Sequence, residues 1–277
     1  MREKIMSRIN ITSNPRIPDT VDARAIESVE RAISQIRKGG IVILVDDEDR
    51  ENEGDMVMAA EDVTPQTITL MANEAKGLIC TPMQGEDLDR LALPMQVRKN
   101  TAEHGTAFTV TVDAKYGITT GISSADRAHT IQLLSNRESV AANFVQPGHV
   151  FPLRYEEGGV LVRAGHTEGS VDLVQLAGKH PAAVICEILN EDGTLARRTQ
   201  LEEMATKHEF PIVTIADVIT YRMSHEKLVE RAAEARLPTR YGDFNAVAYK
   251  SYVDPSEHIA VYMGKIDDKA PVLVRVE

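Results

Sequence analysis

The chain has 277 residues, 43% hydrophobic and 26% charged, with a mean hydropathy of -0.22, which is the profile of a folded globular protein and excludes a disordered one. The length is enough for one large domain plus an appendage. A formal net charge of -11 argues against a general nucleic-acid or membrane-surface role, because both need a basic face, but it leaves room for a small anionic substrate held by local Arg, main-chain N–H groups or a divalent cation.

The first twenty residues read as a loose polar lead-in with no signal-type apolar region. Ile26, Val29, Ile33 and Ile36 recur at helical spacing, so a helix is predicted over Val21 to Lys38, stopped by Gly39-Gly40. A β-branched run, Ile41 to Val45, predicts a buried strand. Thr64-Pro65 has the order of a cap followed by a first-turn proline, which starts a helix running to Gly77, and Leu78 to Thr81 reads as a strand. Thr106 to Asp113 alternates in the β manner, and Ser123 or Ser124 caps a helix carrying Ile131, Leu133 and Leu134. Further strands are predicted at His149 to Leu153, Val160 to Arg163, Ala183 to Leu189 and Ile212 to Ile215. Helices fit Thr167 to Gly178, Thr199 to His208 and Asp217 to about Ala235. Beyond Arg236-Leu237-Pro238 the pattern turns into a meander, with strands at Ala246 to Val253, His258 to Ile266 and Pro271 to Val276. The predicted class is α/β: a three-layer domain with a mixed sheet and helices on both faces, followed by a short antiparallel β segment. The corresponding boundaries are 1–222 for the domain, 223–236 for a connecting helix and 237–277 for the β segment.

The acidic run Asp46-Asp47-Glu48-Asp49-Arg50-Glu51-Asn52-Glu53-Gly54-Asp55 follows directly on the strand at Val45. Carboxylates crowded at the end of a buried strand repel one another unless a cation or an Arg sits among them, so the run reads as a hard-cation site for Mg²⁺ or Mn²⁺. An EF-hand register from Asp49 fails because its twelfth position is Ala60 and a strand precedes it. Arg163-Ala164-Gly165-His166-Thr167-Glu168 joins an apolar run to a helix start, where free N–H groups, the Thr167 hydroxyl and the Arg163 fork could hold a phosphate monoester. Thr167 as a simple helix cap with a solvated Arg163 is the bland alternative. His166 adds a possible metal ligand. His149, after the Pro147-Gly148 turn, is a candidate acid or base, and Glu187 shares a strand face with Ile185 and Leu189, which asks for a buried partner or a chemical role. Cys80 and Cys186 are the only cysteines, both in apolar segments. They exclude a disulfide framework and a cysteine zinc site, and they fit a reducing cytoplasm. No apolar stretch is long enough to span a bilayer.

Taken together, the acidic run, Gly105-Thr106 with Phe108-Thr109-Val110, Ala125-Asp126-Arg127, Pro147-Gly148-His149-Val150-Phe151-Pro152-Leu153-Arg154, Gly165-His166-Thr167-Glu168 and Cys186-Glu187 resemble 3,4-dihydroxy-2-butanone 4-phosphate synthase of riboflavin biosynthesis, from about Val21 to Arg222. The resemblance implies a lyase that converts D-ribulose 5-phosphate into L-3,4-dihydroxy-2-butanone 4-phosphate and formate, through proton removal at C3, loss of water from C1, skeletal rearrangement and release of C4. It implies Mg²⁺ or Mn²⁺, two ions per site, and no organic cofactor. It carries over Glu51 and His166 as metal ligands, and His149, Glu187 and, in support, Asp55 as catalytic groups. The implied substrate contacts are Arg50, Glu51, Asp55, Cys80, Thr106, Arg163, Ala164, Gly165, His166, Thr167 and Glu187. The remaining acids of the run are expected to shape the loop. A cytoplasmic homodimer with sites at the subunit interface, and no nucleic-acid or membrane partner, completes the expectation. Leu237-Pro238-Thr239-Arg240-Tyr241-Gly242-Asp243-Phe244 and Val272-Leu273-Val274-Arg275-Val276 resemble the opening of GTP cyclohydrolase II, which is commonly fused to the synthase in bifunctional riboflavin biosynthesis proteins. The cysteine zinc site that follows there has no counterpart here, so no zinc and no cyclohydrolase activity are expected of this chain, whether it is a truncated bifunctional protein or ends here naturally.

Overall fold

The computed structural model describes residues 23–47, 49–253, 256–266 and 272–276. The polar lead-in and the start of the first predicted helix lie outside them. The elements in order are α1 (Ala23–Arg37), β1 (Val42–Val45), β2 (Gly54–Ala59), α2 (Pro65–Leu70), β3 (Cys80–Met83), α3 (Gly85–Arg90), β4 (Val112–Ala114), α4 (Ser124–Leu134), β5 (Phe144–Arg154), α5 (His166–Leu176), β6 (Ala183–Glu187), α6 (Arg198–His208), β7 (Ile212–Thr214), α7 (Ile215–His225), β8 (Val229–Thr239), β9 (Gly242–Ser251) and β10 (Glu257–Tyr262). The chain divides into a unit spanning Ala23–Met223 and a second beginning at Ser224.

In the first unit, seven strands form one mixed sheet in the order β4-β5-β3-β6-β2-β1-β7. β1 pairs parallel with β7, and β3 with β5, whereas β2 runs antiparallel to both β1 and β6. The period of two along each strand builds two cores. Val42 and Leu44 face one side with Val57, Ala59, Ala183 and Ile185, packed by α1, α5 and α7 through Val29, Ile33, Leu173, Val174 and Val218. Ile43 and Val45 face the other with Met56, Met58, Val184 and Cys186, packed by Ile68, Ile131, Leu134 and Leu201 of α2, α4 and α6. Because β1 and β2 are covered on both faces, their side chains are buried throughout, which explains the near-continuous apolar run read from the sequence. The three-layer α/β expectation holds for this unit.

Several elements differ from the expectation. Val160 to Arg163 is not a strand: Gly159–Leu161 is a 3-10 turn, entered through Gly158 and Gly159 at φ +96° and +64° and tied by the Val160 N–H to Asp172 Oδ2 at 2.9 Å. A four-residue apolar run carries no periodicity that separates a strand from a buried turn. The helix from Thr64 ends at Leu70 and widens into a π turn over Met71–Ala75. Of Thr106 to Asp113 only the last two residues belong to a strand, β4, with isolated bridges at Phe108 and Thr109. The predicted connecting helix is corrected: α7 stops at His225, and residues 229–239 form β8. Its Ala- and Glu-rich sequence favours a helix locally, but the residues pair with β9 from Val229↔Ser251 to Thr239↔Gly242, so tertiary pairing overrides propensity. β8, β9 and β10 form an antiparallel three-stranded sheet. Val272 to Val276 carries no strand, and Pro271 lies outside the described residues.

Candidate active site

The cleft opens where β2 and β3 begin and β6 ends, beside the first residues of α5. Asp55 and Glu187 are register partners on adjacent antiparallel strands, and they share the face that packs against α5. Arg50, Glu51, Glu53, Asp55, Cys80, Thr106, Arg163, His166, Thr167 and Glu187 line the cleft, with Phe108, Leu153 and Ile185 as its apolar wall. Residues separated by well over a hundred positions therefore meet at one point, and the two constellations read independently from the sequence form a single site.

The acidic loop is built around Asp46, which is 6% exposed. Its Oδ1 accepts the Glu53 N–H at 2.8 Å, and its Oδ2 accepts the Glu51 N–H at 3.1 Å and an Arg50 N–H at 2.9 Å. The loop backbone is also held from outside, where the Arg197 guanidinium donates to the carbonyls of Glu51 and Asn52. This scaffold turns Glu51 inward, so that its Oε2 lies 3.6 Å from His166 Nδ1 and 2.8 Å from the Arg50 guanidinium. Asp46, Glu51 and His166 each present one ligating atom within 4.8 Å of the others.

Electrostatically the group is a cation site. The His166 imidazole, 3.6 Å away, and the Arg50 guanidinium hold the Glu51 carboxyl at about 2, against the opposing effect of burial. Burial alone would lower His166, but the carboxylates of Asp55, Glu51 and Asp46 outweigh it and raise the imidazole to about 9. Burial pushes Asp55 up to about 7, with Glu187 and Glu53 adding to the rise and His166 opposing it. Glu53 is raised by burial and by Glu51. In addition, His166 Nε2 and Asp55 Oδ1 are buried with no hydrogen-bond partner among the described residues. The excess negative charge that holds a proton on His166 is what a cation would replace: Mg²⁺ or Mn²⁺ among these oxygen donors would displace that proton and satisfy the buried polar atoms.

The second half of the cleft has the chemistry to hold an anion. Gly165 is the N-cap of α5 in extended conformation, and no side chain caps the helix. Thr167 does not act as the cap; it sits buried in the first turn. The free N–H groups and the positive end of the helix dipole thus face the cleft. A Cβ at Gly165 would fall within 2.9 Å of Glu168 Oε2 and onto the Arg163 guanidinium, so a larger residue would displace the Arg163–Glu168 pair. Arg163 is aimed by Glu168, itself 1% exposed, at 2.5 Å, and by a 2.9 Å bond to the carbonyl of His104. Ala164 and Gly165 connect Arg163 to the helix without lining the cleft.

His149 is the one expected catalytic residue that the fold does not bring to the cleft of its own chain. It lies on β5 beside β4, where its N–H donates to Asp113 Oδ1 at 2.8 Å and its ring Nδ1 is 2.7 Å from Asp113 Oδ2. A carboxylate only accepts, so Nδ1 carries the hydrogen and Nε2 is left available. Asp113, Glu53, Glu168, Arg197 and the ligating position of Asp46 were not singled out from the sequence. Asp46 and Glu53 stand in the acidic run and Glu168 in the helix-start motif, but nothing local marked Asp113 or Arg197.

The family model described as 3,4-dihydroxy-2-butanone 4-phosphate synthase matches residues 30–221, and that of GTP cyclohydrolase II matches residues 230–277. A Pseudomonas aeruginosa protein named 3,4-dihydroxy-2-butanone 4-phosphate synthase is 49% identical over 252 residues, covering 91% of this chain and 69% of its own. A chloroplastic bifunctional riboflavin biosynthesis protein of Arabidopsis thaliana is 52% identical over 251 residues, covering 90% of this chain and 46% of its own. The chain thus spans about half the length of that relative. Among solved structures, RibBX, a two-domain 3,4-dihydroxy-2-butanone 4-phosphate synthase from A. baumannii, has 49% identity and a TM-score of 0.77, covering 85% of this chain and 70% of its own. A synthase crystallised with two magnesium ions has 38% identity and a TM-score of 0.69, covering 71% of this chain and 97% of its own. An acidic cluster with a histidine and an arginine beside a helix start, all in one cleft, agree with these matches, and the chain belongs to the 3,4-dihydroxy-2-butanone 4-phosphate synthase family.

Proposed function

We propose that this chain is a lyase of riboflavin biosynthesis that converts D-ribulose 5-phosphate into L-3,4-dihydroxy-2-butanone 4-phosphate and formate. The observation that carries the reading is the convergence of Glu51 and His166 with Arg163, Thr167 and Glu187 around one cleft. The two products together contain the atoms of the substrate, so the reaction needs no oxidant, reductant or organic cofactor.

Arg163, the free N–H groups at the start of α5 and the Thr167 hydroxyl hold the phosphate, which fixes the register of the reacting carbons. Arg50 and Thr106 contact the sugar hydroxyls. Glu187 removes and returns protons along the carbon chain. Asp55, raised to about 7, exchanges a proton near neutrality and assists it. Glu51 and His166, with Asp46 beside them, would hold Mg²⁺, or Mn²⁺ in its place, with two ions per site expected; a relative crystallised with two magnesium ions supports the choice of metal, and the bound ions would stabilise negative charge on substrate oxygens. Cys80 contributes packing rather than nucleophilicity, because burial and the charges of Glu187 and Asp55 push its thiol far above the usual range.

The protein acts as a homodimer in which His149 of a second copy completes the cleft. The absence of His149 from its own chain's cleft supports that reading. Both cysteines are free and buried, and no helix among the described residues is long and apolar enough to cross a membrane, which supports a reducing aqueous compartment such as the cytoplasm. The residues matching GTP cyclohydrolase II contain no cysteine, so we expect no turnover of GTP by this chain.

The test is formate release from ribulose 5-phosphate with Mg²⁺, then with a chelator. Stoichiometric formate that stops on chelation supports the reading. Metal-dependent isomerisation or aldol cleavage without formate would replace it with another phosphosugar enzyme.

A further inference from the structure

Resting on the proton-transfer role proposed for Glu187, we infer that Gly77 and the main-chain N–H of Leu78 are the positioning elements that aim its carboxylate. The turn that carries them is unusual from its first residue. After α2 the chain widens into the π turn Met71–Ala75, closed by the Lys76 N–H donating to the carbonyl of Met71 at 2.9 Å. Lys76 is left-handed at φ +69°, ψ 0°, which reverses the chain toward the end of β6. The reversal is clamped there: Lys76 bridges Ile188, the Leu189 N–H donates to the carbonyl of Ala75 at 2.8 Å, and Lys76 Nζ pairs with Glu191 at 2.6 Å. One extra residue in a helical turn is the kind of irregularity that re-aims the backbone beyond it.

What it re-aims is the N–H of Leu78, which donates to Glu187 Oε2 at 2.7 Å. Gly77 lies flat against the same residue. A Cβ there would fall 2.6 Å from Glu187 Oε2, 2.8 Å from its nitrogen and onto its carbonyl oxygen. The φ of Gly77 is outside the left-handed region, so glycine is demanded by space and not by backbone conformation. Oε2 is thereby tied to a rigid main-chain donor, while Oε1 has no hydrogen-bond partner among the described residues and is left for the cleft that Glu187 lines. A Glu side chain has three rotatable bonds, and an acid or base that must meet carbon-bound protons works only in the fraction of orientations that point at them. The donor selects that fraction in advance. It does so from a position that touches no reacting atom.

The experiment uses the full chain with Mg²⁺ and measures kcat and KM for formate release separately. One protein carries leucic acid in place of Leu78, an ester that deletes the N–H with little change in shape; another is Gly77→Ala. Each change is also made in the Glu187→Gln background. Expected is a loss of kcat on the order of tenfold or more for each change, with KM and Mg²⁺ affinity within about threefold, and a further loss below about twofold when Glu187 is already Gln. An unchanged kcat for the ester, or the same fold-loss in both backgrounds, overturns the inference. Should Gly77→Ala fail to fold, the ester alone decides. If Glu187→Gln turns over like the parent, the proton-transfer role itself fails and the inference falls with it, an outcome distinct from an inactive Glu187→Gln beside a fully active ester.

Discussion

The role of Asp46 is open to a direct test, because its carboxylate both stands in the cation cluster and organises the loop. In Asp46→Asn one oxygen becomes an NH₂ group. The wild-type oxygens accept from two N–H groups of the main chain and from Arg50, so whichever way the amide turns, at least one donor meets a donor. With the NH₂ turned to the single donor, the Glu53 N–H loses its acceptor and the Arg50 bond loses its charged partner, about 1.5 kcal/mol each and about 3 kcal/mol together, a buried cost because the Asp46 side chain is 1% exposed. For a unit of this size that corresponds to a melting temperature lower by about 6–12 °C. Differential scanning calorimetry and urea titration measure the loss, and Mg²⁺ titration calorimetry run alongside measures affinity. A melting temperature unchanged within about 2 °C together with lost Mg²⁺ affinity would refute the scaffold argument and make Asp46 a ligand only.

Arg222→Met removes the 2.7 Å partner of Asp172, which is 2% exposed in its side chain, and should cost about 3 kcal/mol at neutral pH. Burial already raises the Asp172 carboxyl above its usual range and Arg222 pulls it down. In the variant the folded-state value rises further, so stability is greatest below the ordinary carboxylate range and is lost as pH rises through the folded value; a deficit by urea titration that is equal at pH 4.5 and 7.5 would contradict this. Gly54→Ala should destabilise by about 1–2 kcal/mol, because its Cβ would sit 2.5 and 2.7 Å from the methyls of Leu201, and adding Leu201→Ala should recover part of the loss; additive losses would remove the contact as the cause. Asp113→Asn should lower kcat about 100-fold with little change in KM by releasing the His149 tautomer; a variant that keeps parental kcat would separate His149 from the chemistry.

The strand-end location of the acidic run, the helix start at Gly165-His166-Thr167 and the two-sided burial of β1 were legible because they are local: a period of two, a period of 3.6 and a cap need only a few consecutive residues. The same locality explains the errors. Residues 229–239 carry a helical composition yet form β8, because β9 folds back on them across the tight turn at Arg240-Tyr241, and a single-residue propensity does not count the hydrogen bonds and cross-strand contacts of that pairing. Val160 to Arg163 looked extended because nothing in the run shows that Asp172 would fold it into a turn.

At the site, the chemical types were set by the sequence alone: crowded carboxylates that require a cation, an Arg and a helix start that suit a phosphate. Only the tertiary structure decided which of them work together. It joined Glu51 to His166, set Asp55 beside Glu187 across a strand pair, gave Asp46 the task of folding the acidic loop, and placed His149 with Asp113 away from its own chain's cleft. The physical reason is that strand order and register bring together residues far apart in the chain, and burial then sets their proton affinities, as it does for Asp55 and His166. Neither pairing nor burial is a property of any short stretch of sequence.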